Sequence, residues 1–394
     1  MNITVSLLLL STIALFSSSS ILSYESFAQF DFNVSKSRHM NIDLGKGVMT
    51  NTQLNFPIIG KGSFPGVLLI HGSGPTDMEG TLSLNSKPLG EISNYLSERG
   101  FAVLKYDKRG IGQYGEIKDK NLWKNITVND LIRDAEKALS VLIQQPEVDP
   151  KKISIIGHSE GAIITTKIAV DNPTIVQNIV LMSVSAQSLI DILKYQMIEN
   201  PIAYAHKVLD KDTNNELSIS EIVNDNFLKY ILLTIHYPQQ NDTQSVTQAL
   251  GKLFENSIVN SGYSLHIENQ IQPILVESFN NVSDSDRTEC IMYICPIWLD
   301  SHRNLTSAFN VIGNVSSSIN ILLLHGENDA QIPLKQALMI KQILDDSKYS
   351  SHELKTYPNL GHVFYPSSMW QTKIGPIAPR VLADLYSWLE SRSN

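Results

Sequence analysis

Cysteine is scarce: Cys290 and Cys295 are the two in a chain of 394 residues. So small a number excludes a disulfide-stapled fold, and without a nearby cluster of partners it gives zinc no footing. In "TECIMYICPIW" the pair suits one local disulfide in an exported protein. A basic block is also missing. Lys and Arg number 31 against 39 Asp and Glu, a net charge of −8, which argues against a nucleic-acid partner. Internal repeats are lacking. What is present is 42% hydrophobic and 18% charged, enough for one large α/β domain or a core domain with an insertion.

The start of the chain reads as an export signal. The apolar run "VSLLLLSTIALF" (Val5 to Phe16) is too short for a comfortable membrane span. Ser26 and Ala28 in "SFAQ" then suit the small-residue rule for cleavage, so residues 1–28 are expected to be a signal peptide. No Lys or Arg precedes the run, and an uncleaved anchor is the alternative. A buried first helix fits less well, because the segment has no polar face. The expected location is secreted or extracytoplasmic, without stable membrane insertion once the signal is removed. Sequons at Asn33, Asn125, Asn241, Asn281, Asn304 and Asn314 are compatible with surface glycosylation.

Beyond the signal the pattern is that of alternating strands and helices. Residues 41–58 suit short antiparallel strands. "GVLLIHG", "FAVLKYD", "KISIIG" and "NIVLMSV" follow as strands, three of them largely apolar. Helical segments lie between them, including "VNDLIRDAEKALSVLIQ" with apolar residues at helical spacing. That alternation predicts a mostly parallel sheet covered on both faces. From 187 to 317 the rhythm breaks into helical and polar-loop sequence with no strand-glycine-helix unit. It resumes with "INILLLHGENDAQIP", a helix, the strand "HELKTYP" and a last helix. The expected organisation is a core of 29–186 and 318–394 interrupted by a helical cap of 187–317.

Chemistry concentrates at "IIGHSEGA". Gly-X-Ser-X-Gly alone is a weak signal, since a strand-helix turn needs small residues anyway. Here it follows a buried strand and opens a helix, the setting in which a serine is held on a tight elbow. Ser159 becomes the candidate nucleophile, with the backbone N–H of Glu160 facing a developing oxyanion. A serine needs a base. His71 and His325 end strands in His-Gly turns and suit structural roles, and His158 is expected to point elsewhere. His362, in "YPNLGHVFYP", follows the last strand, in the chain order serine, acid, histidine. Asp329, just past the strand "ILLLHG", is the acid, with Glu327 as its near alternative. The second oxyanion donor is expected from the N–H of Ser73, between Gly72 and Gly74.

Taken together, "LIHGSGPTDMEG", "LKYDKRGIGQYG", "IIGHSEGA", "LLLHGENDAQIP" and "NLGHVF" resemble the ordered motifs of the α/β-hydrolase superfamily. The likeness is to the esterase branch grouped with serine aminopeptidase-like hydrolases, over residues 51–186 and 318–389. It implies an α/β-hydrolase fold, an acyl-serine intermediate, and the triad Ser159, Asp329 and His362 with no catalytic cofactor. Asp107 and Arg109 resemble residues that brace a loop. Met78 departs from the resemblance, standing where related sequences often carry a basic residue. The implied activity is hydrolysis of a small-molecule ester or a short peptide. A peptidase using the same triad is the runner-up, and a non-catalytic binding module on the same scaffold a third reading. Dehalogenase and epoxide hydrolase chemistry is disfavoured, because those relatives need a carboxylate at the position of Ser159.

A second motif lies in the insertion. "DKDTNNELSISE" (residues 210–221) sets oxygens at Asp210, Asp212, Asn214, Ser218 and Glu221, with the carbonyl of Glu216 between them. This is the twelve-residue EF-hand spacing, and hard oxygen ligands around a sharp turn are what Ca²⁺ selects. Asn215 stands where glycine is usual and tolerates the left-handed region. The following helix matches poorly, with Asp225 and Asn226 at apolar positions. Structural calcium is the expectation, a polar capping loop the alternative.

Overall fold

The computed structural model describes residues 34–60, 63–234, 264–291 and 293–393. The expected signal peptide lies outside them, as do the sequons at Asn33 and Asn241. Among the described residues, no helix is long and apolar enough to cross a membrane.

Eight strands form one sheet: β1 (Ser35–Gly45), β2 (Val48–Pro57), β3 (Phe64–Ile70), β4 (Ala102–Tyr106), β5 (Val148–His158), β6 (Val176–Met182), β9 (Asn320–Gly326) and β10 (His352–Tyr357), with β7 (Glu216–Ser218) and β8 (Ser264–His266) outside it. The order is β1-β2-β4-β3-β5-β6-β9-β10. The two N-terminal strands pair antiparallel, and the six from β4 to β10 run parallel. Alternation along each strand feeds two separate apolar layers. Leu68 and Ile70 of β3 face one, Val67 and Leu69 the other, and all four are buried. The first layer is covered by the helices Val128–Ile143, Glu160–Asp171 and Lys335–Asp346. The second is covered by Pro88–Ser97 and Pro379–Ser393. Strands apolar on both faces are what a doubly covered parallel sheet requires, and truncating one such leucine to alanine costs about 2–5 kcal/mol.

The helix Val128–Ile143 begins where its sequence says it should. Thr127 Oγ1 accepts the N–H of Asp130, and the Asp130 carboxylate accepts the N–H of Thr127 in return. This reciprocal cap satisfies two amides that the helix itself cannot pair.

Register brings the functional loops to one edge. Ile70 lies beside Gly157, His158 beside Met182, Met182 beside Leu324, and Gly326 beside Tyr357. Loops leaving β3, β5, β6, β9 and β10 therefore emerge together, although their residues are spread over nearly three hundred positions.

The described residues of the insertion are mainly helical, with segments such as Leu189–Lys194, Gln272–Ser283 and Pro296–Arg303. It also holds the antiparallel pair β7 and β8, which the sequence pattern did not suggest. Each strand has only three residues, too few for alternation to register; the pair is held by the opposed, fully buried Leu217 and Leu265. The cap's apolar residues, among them Leu193, Leu275 and Trp298, join the same cluster as one face of the sheet. Cys290 and Cys295 are joined in a disulfide. The sequons at Asn125, Asn281, Asn304 and Asn314 are exposed.

Candidate active site

Ser159 sits between β5 and the helix Glu160–Asp171 with φ 57° and ψ −120°, a conformation few non-glycine residues adopt. The flanking glycines explain how it is reached. A Cβ on Gly157 would lie 2.1 Å from the carbonyl oxygen of Gly161, and one on Gly161 would lie 2.3 Å from that of Ile70. Both contacts are impossible for any side chain, so the Gly-X-Ser-X-Gly spacing is the packing condition of this elbow. Gly72 passes close on the other side, where a Cβ would meet the Ser159 Cβ at 3.1 Å.

His362 and Asp329 form the expected pair. His362 Nδ1 donates to Asp329 Oδ2 at 2.8 Å, and both residues are buried. The other carboxylate oxygen, Oδ1, accepts the N–H groups of Gln331 and Ile332, each at 2.9 Å. Burial opposes the charge on Asp329, but the His362 ring outweighs it and holds the carboxyl below its ordinary range. His362 thereby keeps Nε2 available toward the cleft that it lines together with Ser159. No hydrogen bond joins the Ser159 hydroxyl to His362 in this structure; such contacts commonly tighten only when substrate binds. Glu327 accepts instead from Thr356 at 2.8 Å on the exposed side, so Asp329 is the acid of this arrangement.

The remaining histidines sort by their partners. His71 Nε2 bonds the carbonyl of Tyr106 at 3.0 Å, and His325 Nε2 that of Ile332 at 2.8 Å, both structural contacts. His158 does not point away, contrary to the sequence-based expectation. Its Nε2 donates to the carbonyl of His362 at 2.9 Å, and Ser183 Oγ donates to the same oxygen at 3.1 Å. Two donors thus brace the backbone of the His362 loop. Proximity to Ser159 in sequence was the available signal for His158; Ser183 carried none. Burial, with the nearby His362 ring, takes the His158 imidazole down to about 3, and burial, with Lys108, does the same to His71.

The two amides expected as oxyanion donors both lack an acceptor among the described residues. Glu160 is the first residue of its helix, where the N–H has no internal acceptor. The N–H of Ser73 makes no hydrogen bond to a described residue, and Ser73 lines the same cleft. The Glu160 side chain is fully engaged. It accepts from Trp298 Nε1 and His302 Nε2, both at 2.7 Å, and from Lys108 Nζ at 3.2 Å. Burial works against its charge, but Lys108 and His302 win and hold the carboxyl far below the usual range. Asp107 and Arg109 brace loops, as the resemblance implied: Asp107 accepts from Asn51 Nδ2 and the N–H of Met78, and Arg109 forks onto Asp134.

A cleft surrounds Ser159 and His362, with Leu82, Pro88, Leu89, Val363 and Ile374 supplying apolar walls. A second meets it at Ser73 and is lined by Trp123, Ile126, Leu131, Leu193, Ile294 and Trp298. Among the described residues, neither is lined by a carboxylate.

The calcium candidates are not drawn together in this way. Asn215 has φ 63°, as the sixth position of such a loop requires, and Leu217 is buried. The oxygens, however, are spent on their own turn. Asp210 accepts the N–H groups of Asn214 and Asn215, Asp212 accepts from Asn214 Nδ2, and Asn214 Oδ1 from the N–H of Glu216. The Glu216 carboxylate takes the Ser264 hydroxyl, while Glu221 closes a capping box with Ser218. Among the described residues, no group of three or more acidic, histidine or cysteine side chains is arranged to hold a metal ion. The backbone fits the motif; the carboxylates do not converge.

Comparison with known proteins agrees with the sheet. Residues 84–211 match the family model of serine aminopeptidase S33, and residues 284–391 that of the prolyl oligopeptidase family. Esterase EstD of Thermotoga maritima is 34% identical over 139 residues, 35% of this chain and 31% of the relative. The chain thus spans under a third of that curated relative. Proline iminopeptidase of Mycobacterium smegmatis superposes over 90% of this chain and 99% of its own, with TM-score 0.52 and 13% identity. The chain has the α/β-hydrolase fold. A dipeptidyl aminopeptidase IV-like protein from Bacteroides ovatus aligns over 92% of this chain and 36% of its own, with TM-score 0.50 and 11% identity.

Proposed function

We propose that the protein is a serine hydrolase that cleaves carboxylic esters through an acyl-serine intermediate. The observation that carries this reading is the His362–Asp329 pair at 2.8 Å lining one cleft with a serine on a strained elbow. His362 takes the proton of Ser159 as Oγ attacks the carbonyl, and Asp329 stabilises the resulting imidazolium. The N–H groups of Ser73 and Glu160 receive the oxyanion. His362 then protonates the leaving group, and water, activated by the same ring, releases the acid.

Ester is favoured over aminoacyl substrate by the cleft walls. An aminopeptidase must pair the α-ammonium of its substrate, and neither cleft is lined by a carboxylate among the described residues. The similarity to an esterase over 139 residues supports the same choice. Side-by-side kinetics on p-nitrophenyl acyl esters and aminoacyl p-nitroanilides test it: kcat/KM is expected to be at least about a hundredfold higher on esters. Preference for the anilides would replace the ester reading with a peptidase using the same triad.

Export belongs to the same proposal, supported by the apolar run of residues 5–16, the small residues at 26 and 28, and a disulfide suited to an oxidising compartment. N-terminal sequencing of protein from the medium or cell envelope should begin at Gln29. Calcium in the loop 210–221 is proposed only as a structural ligand, supported by the oxygen spacing and the left-handed Asn215. It has no part in the chemistry.

A further inference from the structure

The mechanism uses the N–H of Ser73 and of Glu160 but leaves a buried ion pair beside them without a task. Lys108 and Glu160 are each 2% exposed, one on the loop after β4, the other beside the nucleophile. Burying a charge pair is costly, and replacing one with apolar groups often leaves a fold no less stable. Its position shows what it can do instead.

Lys108 Nζ donates to the carbonyl oxygen of Gly72 at 2.7 Å. That carbonyl and the N–H of Ser73 belong to one peptide unit. The unit is planar and trans, so its oxygen and its N–H point in opposite directions. A cation fastened to the oxygen therefore fixes the direction of the N–H. It also draws electron density toward the carbonyl end, which strengthens the N–H as a donor. Loops flanked by glycine, such as Gly72-Ser73-Gly74, have no side-chain packing of their own to hold a peptide plane against rotation.

Lys108 is in turn held by Glu160, and Glu160 by two donors from the cap helix Pro296–Arg303. Trp298 Nε1 and His302 Nε2 both reach its Oε1 at 2.7 Å, leaving Oε2 for Lys108 at 3.2 Å. One residue thus supplies an oxyanion donor from its backbone and, from its side chain, the anchor for the cation that aims the other donor. We propose that Lys108, held by Glu160, is a positioning residue for the oxyanion hole, and that Trp298 and His302 make this positioning depend on the seated cap. The inference rests on the serine-hydrolase reading above.

Lys108→Met alone leaves the Glu160 carboxylate buried without its cation, and that variant can fail to fold. The double variant Lys108→Met/Glu160→Gln removes both charges while keeping an amide oxygen for Trp298 and His302. In the folded double variant, kcat on a p-nitrophenyl acyl ester is expected to fall about 10–100-fold, less than the loss of a whole oxyanion donor, with KM within about threefold. Affinity for a trifluoromethyl ketone, which mimics the tetrahedral oxyanion, should fall by the same factor. The carbonyl infrared band of the acyl-enzyme should move to higher frequency as its hydrogen bond weakens. A merely structural pair would move none of these once folding is verified by circular dichroism and melting temperature. A folded double variant with wild-type kcat, ketone affinity and carbonyl band would overturn the proposal. Should Ser159→Ala abolish turnover while the double variant stays at wild type, only this inference falls; should Ser159→Ala remain active, the triad reading falls first.

Discussion

The elbow at 157–161 and the loop at 210–221 are both short motifs of defined spacing, yet they end differently in the fold. At the elbow, the partners lie on other strands. Parallel pairing carries Asp329 and His362 to the same sheet edge as Ser159, and all three are buried. In the loop, every candidate ligand is local, and most are exposed. Water and neighbouring amides compete for its oxygens, so they settle into turn and capping hydrogen bonds. At the elbow distant structure forces the groups together in a dry place; in the loop spacing builds the turn and leaves its oxygens for an ion to gather.

The comparison can be broken most severely at the acid. Asp329→Asn leaves the shape intact but removes the charge that orients His362, so kcat should fall about 10⁴-fold with folding retained. Measured turnover within tenfold of wild type would show that the buried convergence is not catalytic.

Next comes tolerance of the backbone. Gly161→Ala forces a Cβ to within 2.3 Å of the Ile70 carbonyl. Urea unfolding should report a loss of about 3 kcal/mol, the upper part of the usual overpacking range. Asn215→Gly, at the left-handed position of the loop, relieves strain but loosens the unfolded chain, and should stay within about 0.5 kcal/mol of wild type. Equal effects at the two positions would erase the distinction drawn here.

Acidification sharpens it further. His71 and His158 sit at about 3 in the folded protein against 6.5 when unconstrained. A lowered folded value means the unfolded chain binds more protons between those limits, so stability falls as pH drops from about 6.5 toward 3. Near pH 5 unfolding should take up about two protons from this pair. Asp329 and Glu160, both depressed, add a loss confined to still more acid solution, below the unfolded carboxylate value. Stability independent of pH between 6.5 and 4 would contradict the buried neutral assignment.

The smallest effect belongs to the loop. Calcium at about ten times its dissociation constant should raise the melting temperature by about 2 °C, and Asp210→Ala should abolish the rise. No rise in the parent protein would leave 210–221 as a capped turn.

Legibility followed the range of the interaction. Strands β3, β5, β6 and β9 could be read because burial on both faces leaves continuous apolar runs, and the elbow because its glycines are demanded by contacts within the motif and with the adjacent strand. Asp329 and His362 were readable through chain order, which fixes the edge where their loops emerge. The Glu160 side chain was not: its partners Trp298 and His302 lie 138 and 142 residues away on a cap helix whose sequence carries no motif. The bracing of the His362 carbonyl by His158 and Ser183 was invisible for the same reason, a backbone oxygen having no sequence signature. The pair β7 and β8 was hidden by shortness.

The central claim is that Ser159 is the nucleophile. Folded protein treated with a fluorophosphonate probe, digested and mapped by mass spectrometry tests it directly. The account predicts a single stoichiometric adduct on Ser159, lost in Ser159→Ala together with ester turnover. Turnover undiminished in Ser159→Ala, or an adduct on another residue at full stoichiometry, would contradict it.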